Sequence, residues 1–308
     1  LEDREIASIW NSGVNGYRNK VLTKPGYIIP SEYAAQEFAR SLEPEDYTDV
    51  GQAQLFFALY GGGVRYSAAT KWLVYNGQKW DESELKAHGL AQQLTDKQLA
   101  ESRRRIKKAR VELDKAVEAS DEERQEQAAS AVRAAEAFRG YVLGRRKTSR
   151  IAATLTEAEP AAEVNVMELD RDEFLLNTPA GAGDLRTGKI RPNAPNDYCT
   201  KITAVAPSLD GMDEWLAFLD RLTCGDRDLQ EYHQIVAGMQ AVGKVFVENL
   251  IIATGIGGND KSSFYNAMAR VMGDYAGSIA SDVLITNSRK NKAPEYAELR
   301  GKRLVIAA

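Results

Sequence analysis

The sequence predicts an α/β protein in two parts: a helix-rich N-terminal domain with small antiparallel β elements at 1–244, then the start of a parallel-sheet domain at 245–308. Residues from about 83 to 159 are rich in Ala, Glu, Lys, Arg and Gln and poor in Gly and Pro, which favours long helices. Short apolar runs among turn residues at 168–202 favour small strands. The continuous apolar run FVENLIIATG at 246–255 is typical of a strand covered on both faces of a parallel sheet.

Composition narrows the class of protein. The 308 residues are 44% hydrophobic and 27% charged, which excludes a disordered or fibrous chain, and we expect no membrane span and no membrane partner. The formal charge of −4 argues against a chain that coats nucleic acid over its whole surface. Cys199 and Cys224 fit a reducing compartment, and His88 and His233 lack any metal-binding motif. Because there is no starting Met and the end is an apolar strand-like run, RLVIAA, we expect a piece of a longer protein.

Capping and turn residues predict the first secondary-structure elements of the chain. Residues 1–60 favour short helices separated by turns, with Thr48 and Asp49 able to cap the segment VGQAQLFFALY, which the glycines at 61–63 end. The sequence WLVYNGQKW predicts a hairpin with Asn76 and Gly77 as a two-residue turn. The long helical segment that follows is predicted to be an antiparallel helical hairpin that breaks near Ser120.

Two basic clusters lie in the helical segment. The run Arg103, Arg104, Arg105, Lys107, Lys108, Arg110 could bind phosphates, but a solvated helix face interleaved with acids is the favoured interpretation. The stretch GRRKTSR at 144–150 is less offset by acids and is the better candidate for a nucleic-acid contact.

Two amphipathic helices are predicted after the small strands, at MDEWLAFLDRLT and DRDLQEYHQIVAGMQ. Three-and-four spacing of apolar residues predicts that each helix packs one stripe into a core. The residues of these stripes are Trp215, Phe218, Leu219 and Leu222, then Leu229, Tyr232, Ile235 and Val236.

The glycine-rich stretch GIGGNDKSS lies between the apolar run and a further helical pattern, which is the context of a P-loop, G-x-x-x-x-G-K-[ST]. Glycines let several backbone N–H groups of a helix-opening loop approach a phosphate. Lys261 would be the catalytic residue on the β- and γ-phosphates of ATP, and the Ser262 hydroxyl would ligate Mg²⁺. The predicted nucleotide-binding residues are Gly255, Gly257, Gly258, Asn259, Asp260, Lys261, Ser262 and Ser263.

Asp260 departs from the motif, because it stands where the last glycine is expected. Its carboxylate beside Lys261 adds a repulsion toward phosphate of about 1 kcal/mol even when hydrated. Asp also suits a helix N-terminus and could itself occupy the phosphate site. A glycine-rich turn without a ligand is the alternative interpretation.

These residues resemble the phage and plasmid primase-helicases whose motor belongs to helicase superfamily 3. GIGGNDKSSF is similar to their Walker A loop, G-x-G-x-N-G-K-S-[ST]-F, except at Asp260. LLNTPAGAGDLRTGKIRPNAPNDYCTK and WLVYNGQKW resemble two further elements of the family, and APEYAELRGKRLVIAA resembles the approach to its Walker B strand.

The resemblance implies an α-rich domain before an AAA+-like ATPase that assembles as a hexameric ring, binds ATP between neighbours and moves along single-stranded or forked DNA. It implies a location in the cytoplasm of a bacterial host cell. We expect the chain to end before the Walker B acid, and no primase catalytic site is recognisable.

The sequence therefore predicts a fragment of a phage or plasmid replicative primase-helicase, with ATP-dependent DNA unwinding in the parent protein and little activity of the fragment alone. The alternative is a non-catalytic collar, DNA-binding or oligomerisation module with a degenerate nucleotide site. A small-molecule P-loop kinase is disfavoured, because about 250 residues precede the loop.

Overall fold

The computed structural model describes residues 41–248, 250–255, 260–281 and 299–307, which form two compact units. The helical unit comprises residues 41–75 and 81–166, and the mixed unit comprises 76–80 and the described residues from 167 onward. The short helices expected in the first 40 residues lie outside the described part, and the domain boundary after residue 244 stays a prediction. None of the described helices is both long and apolar enough to cross a membrane.

The helical unit contains four helices and a three-stranded sheet. The helices are α1 (Asp49–Tyr60), α2 (Glu84–Glu118), α3 (Glu122–Arg145) and α4 (Thr148–Ala162). The strands, in sheet order, are β1 (Val64–Ser67), β2 (Lys71–Tyr75) and β3 (Trp80–Glu82), and β1 runs antiparallel to β2 with Val64 opposite Val74. The predicted helical hairpin is confirmed, since α2 and α3 pack along each other and separate at Ser120, which adopts a left-handed φ of 53°.

Polar side chains fix where the helices begin. The Thr48 hydroxyl accepts the Gly51 N–H at 3.0 Å to start α1, as the sequence predicts. Ser83 and Asp121 cap α2 and α3 in the same way, each accepting an N–H three residues onward. Each cap satisfies a backbone donor that the first helical turn leaves open.

The core of the helical unit combines apolar packing with one buried amide pair. Phe56, Trp72 and Leu94 are fully or nearly fully buried in one cluster with residues of α4. Gln52 of α1 and Gln98 of α2 each donate an amide N–H to the other's carbonyl oxygen, at 2.9 and 3.0 Å. These reciprocal bonds hold α1 against α2 in one register, because a shift would leave buried amides unpaired.

The predicted hairpin at WLVYNGQKW forms, but its turn differs from the expected one. The loop between β2 and β3 has four residues, Asn76 to Lys79, rather than two. The Asn76 side-chain oxygen accepts the N–H groups of Gln78 and Lys79 at 2.9 Å each, and Gly77 has a φ of 99°. Asparagine therefore stabilises a wider turn through its side chain, which the Asn-Gly pair alone does not reveal.

The mixed unit contains small strands, three helices and a parallel strand pair. The strands β4 (Leu175–Thr178), β5 (Gly181–Asp184) and β6 (Lys189–Arg191) form an antiparallel sheet in that order, which confirms the prediction for 168–202. The helices are α5 (Met212–Leu222), α6 (Arg227–Ala241) and α7 (Lys261–Met272). The final strands, β7 (Ala276–Ile279) and β8 (Leu304–Ala307), pair in parallel, so the apolar end of the chain is a strand, as expected.

Helices α5 and α7 share one core with β8. Phe264, Met268 and Met272 of α7 are buried with Leu219 of α5 and Leu304 of β8. The stripe predicted for α5 is confirmed, since its aromatic and leucine side chains all pack in this cluster. The stripe predicted for α6 is wrong in part, because Leu229 and Tyr232 are exposed.

The face of α6 that is buried differs from the predicted face by a rotation about the helix axis. The residues of α6 that face inward are His233, Val236 and Ala237, which keep the three-and-four spacing. Of the predicted stripe, Val236 is buried, and His233 faces inward in place of its neighbour Tyr232. The inward face of α6 contacts α7, since Ala237 is buried with Phe264 and the His233 ring lies 4.7 Å from the Phe264 ring.

The strand predicted at FVENLIIATG is not present in the described residues of that run. They belong to no regular element, and the neighbouring Val245 and the run's Ile252 are 76% and 73% exposed. An apolar run becomes a strand only when a neighbouring strand takes its N–H and C=O groups. Within the described residues no strand pairs with this segment. The hydrophobicity of the run therefore predicted a strand, but the described residues supply no neighbouring strand to pair with it.

Candidate functional site

The lysine and serines of the predicted P-loop lie in the first turn of α7. Lys261 is the first residue of the helix and is half-buried, while Ser262 and Ser263 are exposed. Gly255 is exposed and outside regular structure, whereas Gly257, Gly258 and Asn259 lie outside the described residues. The structure thus brings four of the eight predicted residues, from Asp260 to Ser263, to one helix N-terminus.

Packing of the Phe264 side chain against α5 and α6 holds this N-terminus in place. The Phe264 ring stacks on Trp215 of α5 with centroids 5.8 Å apart and lies 4.7 Å from the His233 ring of α6. Burial lowers the pKa of His233, so its imidazole is neutral at pH 7. Phe264 thus anchors the first turn of α7 to the core, while Ser262 and Ser263 of the same turn stay exposed.

Asp260 does not act as the helix cap that its residue type predicts. Its side chain makes no capping bond to the backbone, and it only accepts a weak bond from the Ser263 hydroxyl at 3.4 Å. Its backbone has φ 56° and ψ 8°, which is the left-handed region that favours glycine. The backbone therefore explains why a glycine is expected here, and Asp is among the few other residues that tolerate it.

This arrangement fits an anion with an associated cation. The N–H groups in the first turn of a 12-residue helix, the Lys261 ammonium and the Ser262 hydroxyl are groups that suit a phosphate and its Mg²⁺. No group of three or more metal-binding side chains occurs in the part of the chain that the structure describes. A metal ion at α7 would therefore take most of its oxygen ligands from phosphate and water, as Mg²⁺ commonly does.

The arginines of the basic stretch GRRKTSR, the better candidate for a nucleic-acid contact by sequence, are paired with carboxylates of the same unit. Arg145 is only 5% exposed, is ion-paired with Asp49 of α1 and lies over the Tyr141 ring at 4.8 Å. Arg150 donates to the other oxygen of Asp49 at 2.7 Å, and Arg146 pairs with Asp96. Three of its cations therefore connect helices within the unit, and the sequence analysis missed their acidic partners because these lie about 50 to 100 positions earlier in the chain.

Cysteine chemistry does not contribute a second site. Burial raises the pKa of the Cys199 thiol to about 12, so this group stays protonated and unreactive at neutral pH. Cys224 is exposed, and the two cysteines form no disulfide.

Comparison with models of known protein families gives a match over the helix-rich part of the chain. The model of the family described as D5 N terminal like matches residues 53–224, which is more than half of the chain. The match begins within α1 and ends just after α5, so it covers the helix-rich part and stops before α7. None of the curated proteins matches the chain. The chain therefore belongs to the D5 N terminal like family, a domain family of primase-helicase-type proteins from phages, plasmids and viruses.

Proposed function

We propose that this chain is part of a phage or plasmid replicative primase-helicase, in which the D5 N terminal like region leads into an ATP-driven motor of superfamily 3 type. The observation that carries the proposal is the placement of Lys261 and Ser262 in the first turn of α7, a helix that packs against the parallel pair β7–β8. The family match supports a role in replication. The proposal includes a ring-shaped, AAA+-like assembly acting on DNA in the bacterial cytoplasm.

Each group at the helix N-terminus has a role in this proposal. The N–H groups and the positive end of the helix dipole would hold the phosphates of ATP. The Lys261 ammonium would neutralise the β- and γ-oxygens, and the Ser262 hydroxyl would be one ligand of Mg²⁺. ATP bound with Mg²⁺ supplies the phosphoryl group whose transfer to water drives the motor.

We expect Lys261→Ala to weaken binding of ATP with Mg²⁺ by roughly tenfold to a hundredfold. A hydrogen bond to a charged group contributes about 1.5–3 kcal/mol, which corresponds to that range. Isothermal titration calorimetry on the chain would measure the change. Arg270→Ala is the matched control, because it removes one cation from the last turn of the same helix. Unchanged affinity of the Lys261 variant, or an equal loss in the control, would refute the nucleotide site.

We expect Asp260→Gly to strengthen ATP binding by several-fold, because it removes a repulsion of about 1 kcal/mol from the phosphates. The free energy of unfolding should change by less than about 1 kcal/mol. Relief of the left-handed backbone of Asp260 is offset by the flexibility of glycine in the unfolded chain and by a lost dipole interaction. Calorimetry and urea unfolding of the same samples separate the two effects. Equal affinities of the two proteins would mean that the carboxylate does not reach the phosphates.

A second candidate is a non-catalytic collar or oligomerisation module, and the Asp260 carboxylate at the start of α7 favours it. In that case the chain itself does not bind ATP, while it still self-associates. Analytical ultracentrifugation with and without ATP distinguishes the candidates: assembly that ATP promotes supports the motor, and assembly without any nucleotide binding supports the collar.

A further inference from the structure

A basic groove lies between α2 and α3 on the helical unit. Its volume is about 350 Å³, and it is open to solvent. Its lining consists of four cations and two aliphatic side chains: Arg103, Ile106, Lys107, Arg110, Val111 and Arg139. Among these lining residues there is no carboxylate and no aromatic ring.

The groove is produced by helix periodicity and by the α2–α3 hairpin. Arg103, Lys107 and Arg110 follow one another at four and three residues, so they share one face of α2. Ile106 is buried at the floor, where it contributes to the packing between the helices. The antiparallel return of α3 adds Arg139 on the other side, a contact partner more than 25 positions further along the chain.

The cations of the groove are largely unneutralised. Arg103, Lys107 and Arg139 form no ion pair with any carboxylate of the described residues. Arg110 donates to Glu136 at 2.8 Å, but both side chains are well exposed, so the pair is weak. Three or four like charges along one groove repel one another, and binding of an anion would relieve that repulsion.

Arg105 shows the contrast within the same basic run. It is held by Glu43 and Glu101 and lies over the Phe138 ring at 5.1 Å. The six cations of the run are alike by residue type, but in the structure Arg105 is ion-paired and packed, whereas Arg103 and Lys107 form no ion pair with a carboxylate of the described residues.

We propose that this groove binds the phosphate backbone of a nucleic acid through Arg103, Lys107, Arg110 and Arg139, without reading its base sequence. A helix rises 1.5 Å per residue, so the row from Arg103 to Arg110 is about 10 Å long, which along the axis of a duplex corresponds to roughly three phosphates of one strand, at 3.4 Å of axial rise each. The lining has no aromatic ring to stack on bases and no amide to pair with adenine, and its four cations are of the two types that commonly contact phosphate oxygens, so we assign the phosphates as the recognised groups. The inference extends the proposed role in replication, yet it does not depend on ATP binding at Lys261.

The test is fluorescence anisotropy of labelled oligonucleotides, in duplex and single-stranded forms, with the whole chain and without ATP. Four phosphate contacts predict that the logarithm of the binding constant falls with the logarithm of salt concentration with a slope of about −3 to −4. The variant R103A/K107A should lower the slope by about 2 and the affinity at moderate salt by at least about tenfold. Alanine is the best helix former, so α2 should remain folded, which circular dichroism checks.

The variant R104A/K108A is the matched control. It removes two exposed cations at the same spacing from the same helix, but neither of them lines the groove. We expect its affinity to stay within about threefold of the unmodified chain, because diffuse charge contributes less than direct phosphate contact. Equal losses in both variants, or no loss in R103A/K107A, would overturn the groove as the binding site. A strong preference for one base sequence that R103A/K107A abolishes would overturn backbone recognition.

The test of the groove can be distinguished from the test of the proposed nucleotide site. R103A/K107A should bind ATP as the unmodified chain does, and Lys261→Ala should bind the oligonucleotide as the unmodified chain does. If no ATP binding is found but R103A/K107A still loses nucleic acid, the groove stands and the ATP proposal fails. If ATP binds and the oligonucleotide does not, the groove proposal alone fails.

Discussion

Replacing Arg145 with alanine is expected to destabilise the helical unit by about 3 kcal/mol. The guanidinium is almost completely buried, pairs with Asp49 at the start of α1 and lies over the Tyr141 ring. Its loss leaves a half-buried carboxylate with only the exposed Arg150 as a partner, and it opens a cavity beside Tyr141. Urea unfolding followed by circular dichroism measures the loss, and amide hydrogen exchange should show the largest decrease in protection in α1 and α3.

The neighbouring arginine provides the control. Arg146 also forms an ion pair between helices, with Asp96, but that pair is solvent-exposed. Arg146→Ala should therefore cost less than about 1 kcal/mol. If the two variants lose equal stability, burial of the Arg145 pair does not determine its contribution.

Replacing Gly181 with alanine is expected to destabilise the mixed unit by about 3 kcal/mol. The chain reverses between β4 and β5 in two residues, and Gly181 leaves that turn with a φ of 139°, a conformation that L-residues rarely adopt. A Cβ atom there would collide with the Arg191 carbonyl oxygen and would lie 2.9 Å from Cγ2 of Ile190. Since the first obstacle is backbone, β6 would have to move. Thermal unfolding and amide exchange in β4–β6 measure the effect.

Gly183 of the same strand is the matched control. A Cβ atom at this position would meet its nearest neighbours at 3.6 and 3.8 Å, which is ordinary van der Waals contact. Gly183→Ala should change the free energy of unfolding by less than about 1 kcal/mol. A comparable loss in both variants would show that β5 rejects any side chain, whatever the local backbone.

The candidate site was predictable in its chemistry and less so in its geometry. The pattern GIGGNDKSS placed Lys261 and Ser262 at the start of a helix, where the structure has them. It did not show that Asp260 makes no cap, because the Asp260 backbone is left-handed, whereas a capping residue usually has an extended backbone. The preceding strand was predicted from hydrophobicity alone, and the described residues supply no neighbour for it.

The basic clusters also show that local sequence does not reveal contacts between distant segments. Local sequence favoured GRRKTSR over the run at Arg103, because fewer acids lie beside it. The neutralising acids Asp49 and Asp96 are distant in sequence and close in space, so the structure reverses that preference. Arg139 joins the groove only because α3 folds back along α2.

The sequence by itself predicted the Thr48 cap of α1, the helical hairpin near Ser120 and the small antiparallel strands, because local interactions between near neighbours in the chain decide these features. The tertiary structure alone decided which stripe of α6 is buried, which arginines are paired and which stand open in the groove. Those outcomes depend on contacts and charges from segments far apart in sequence, and neither residue type nor spacing encodes which segments will meet.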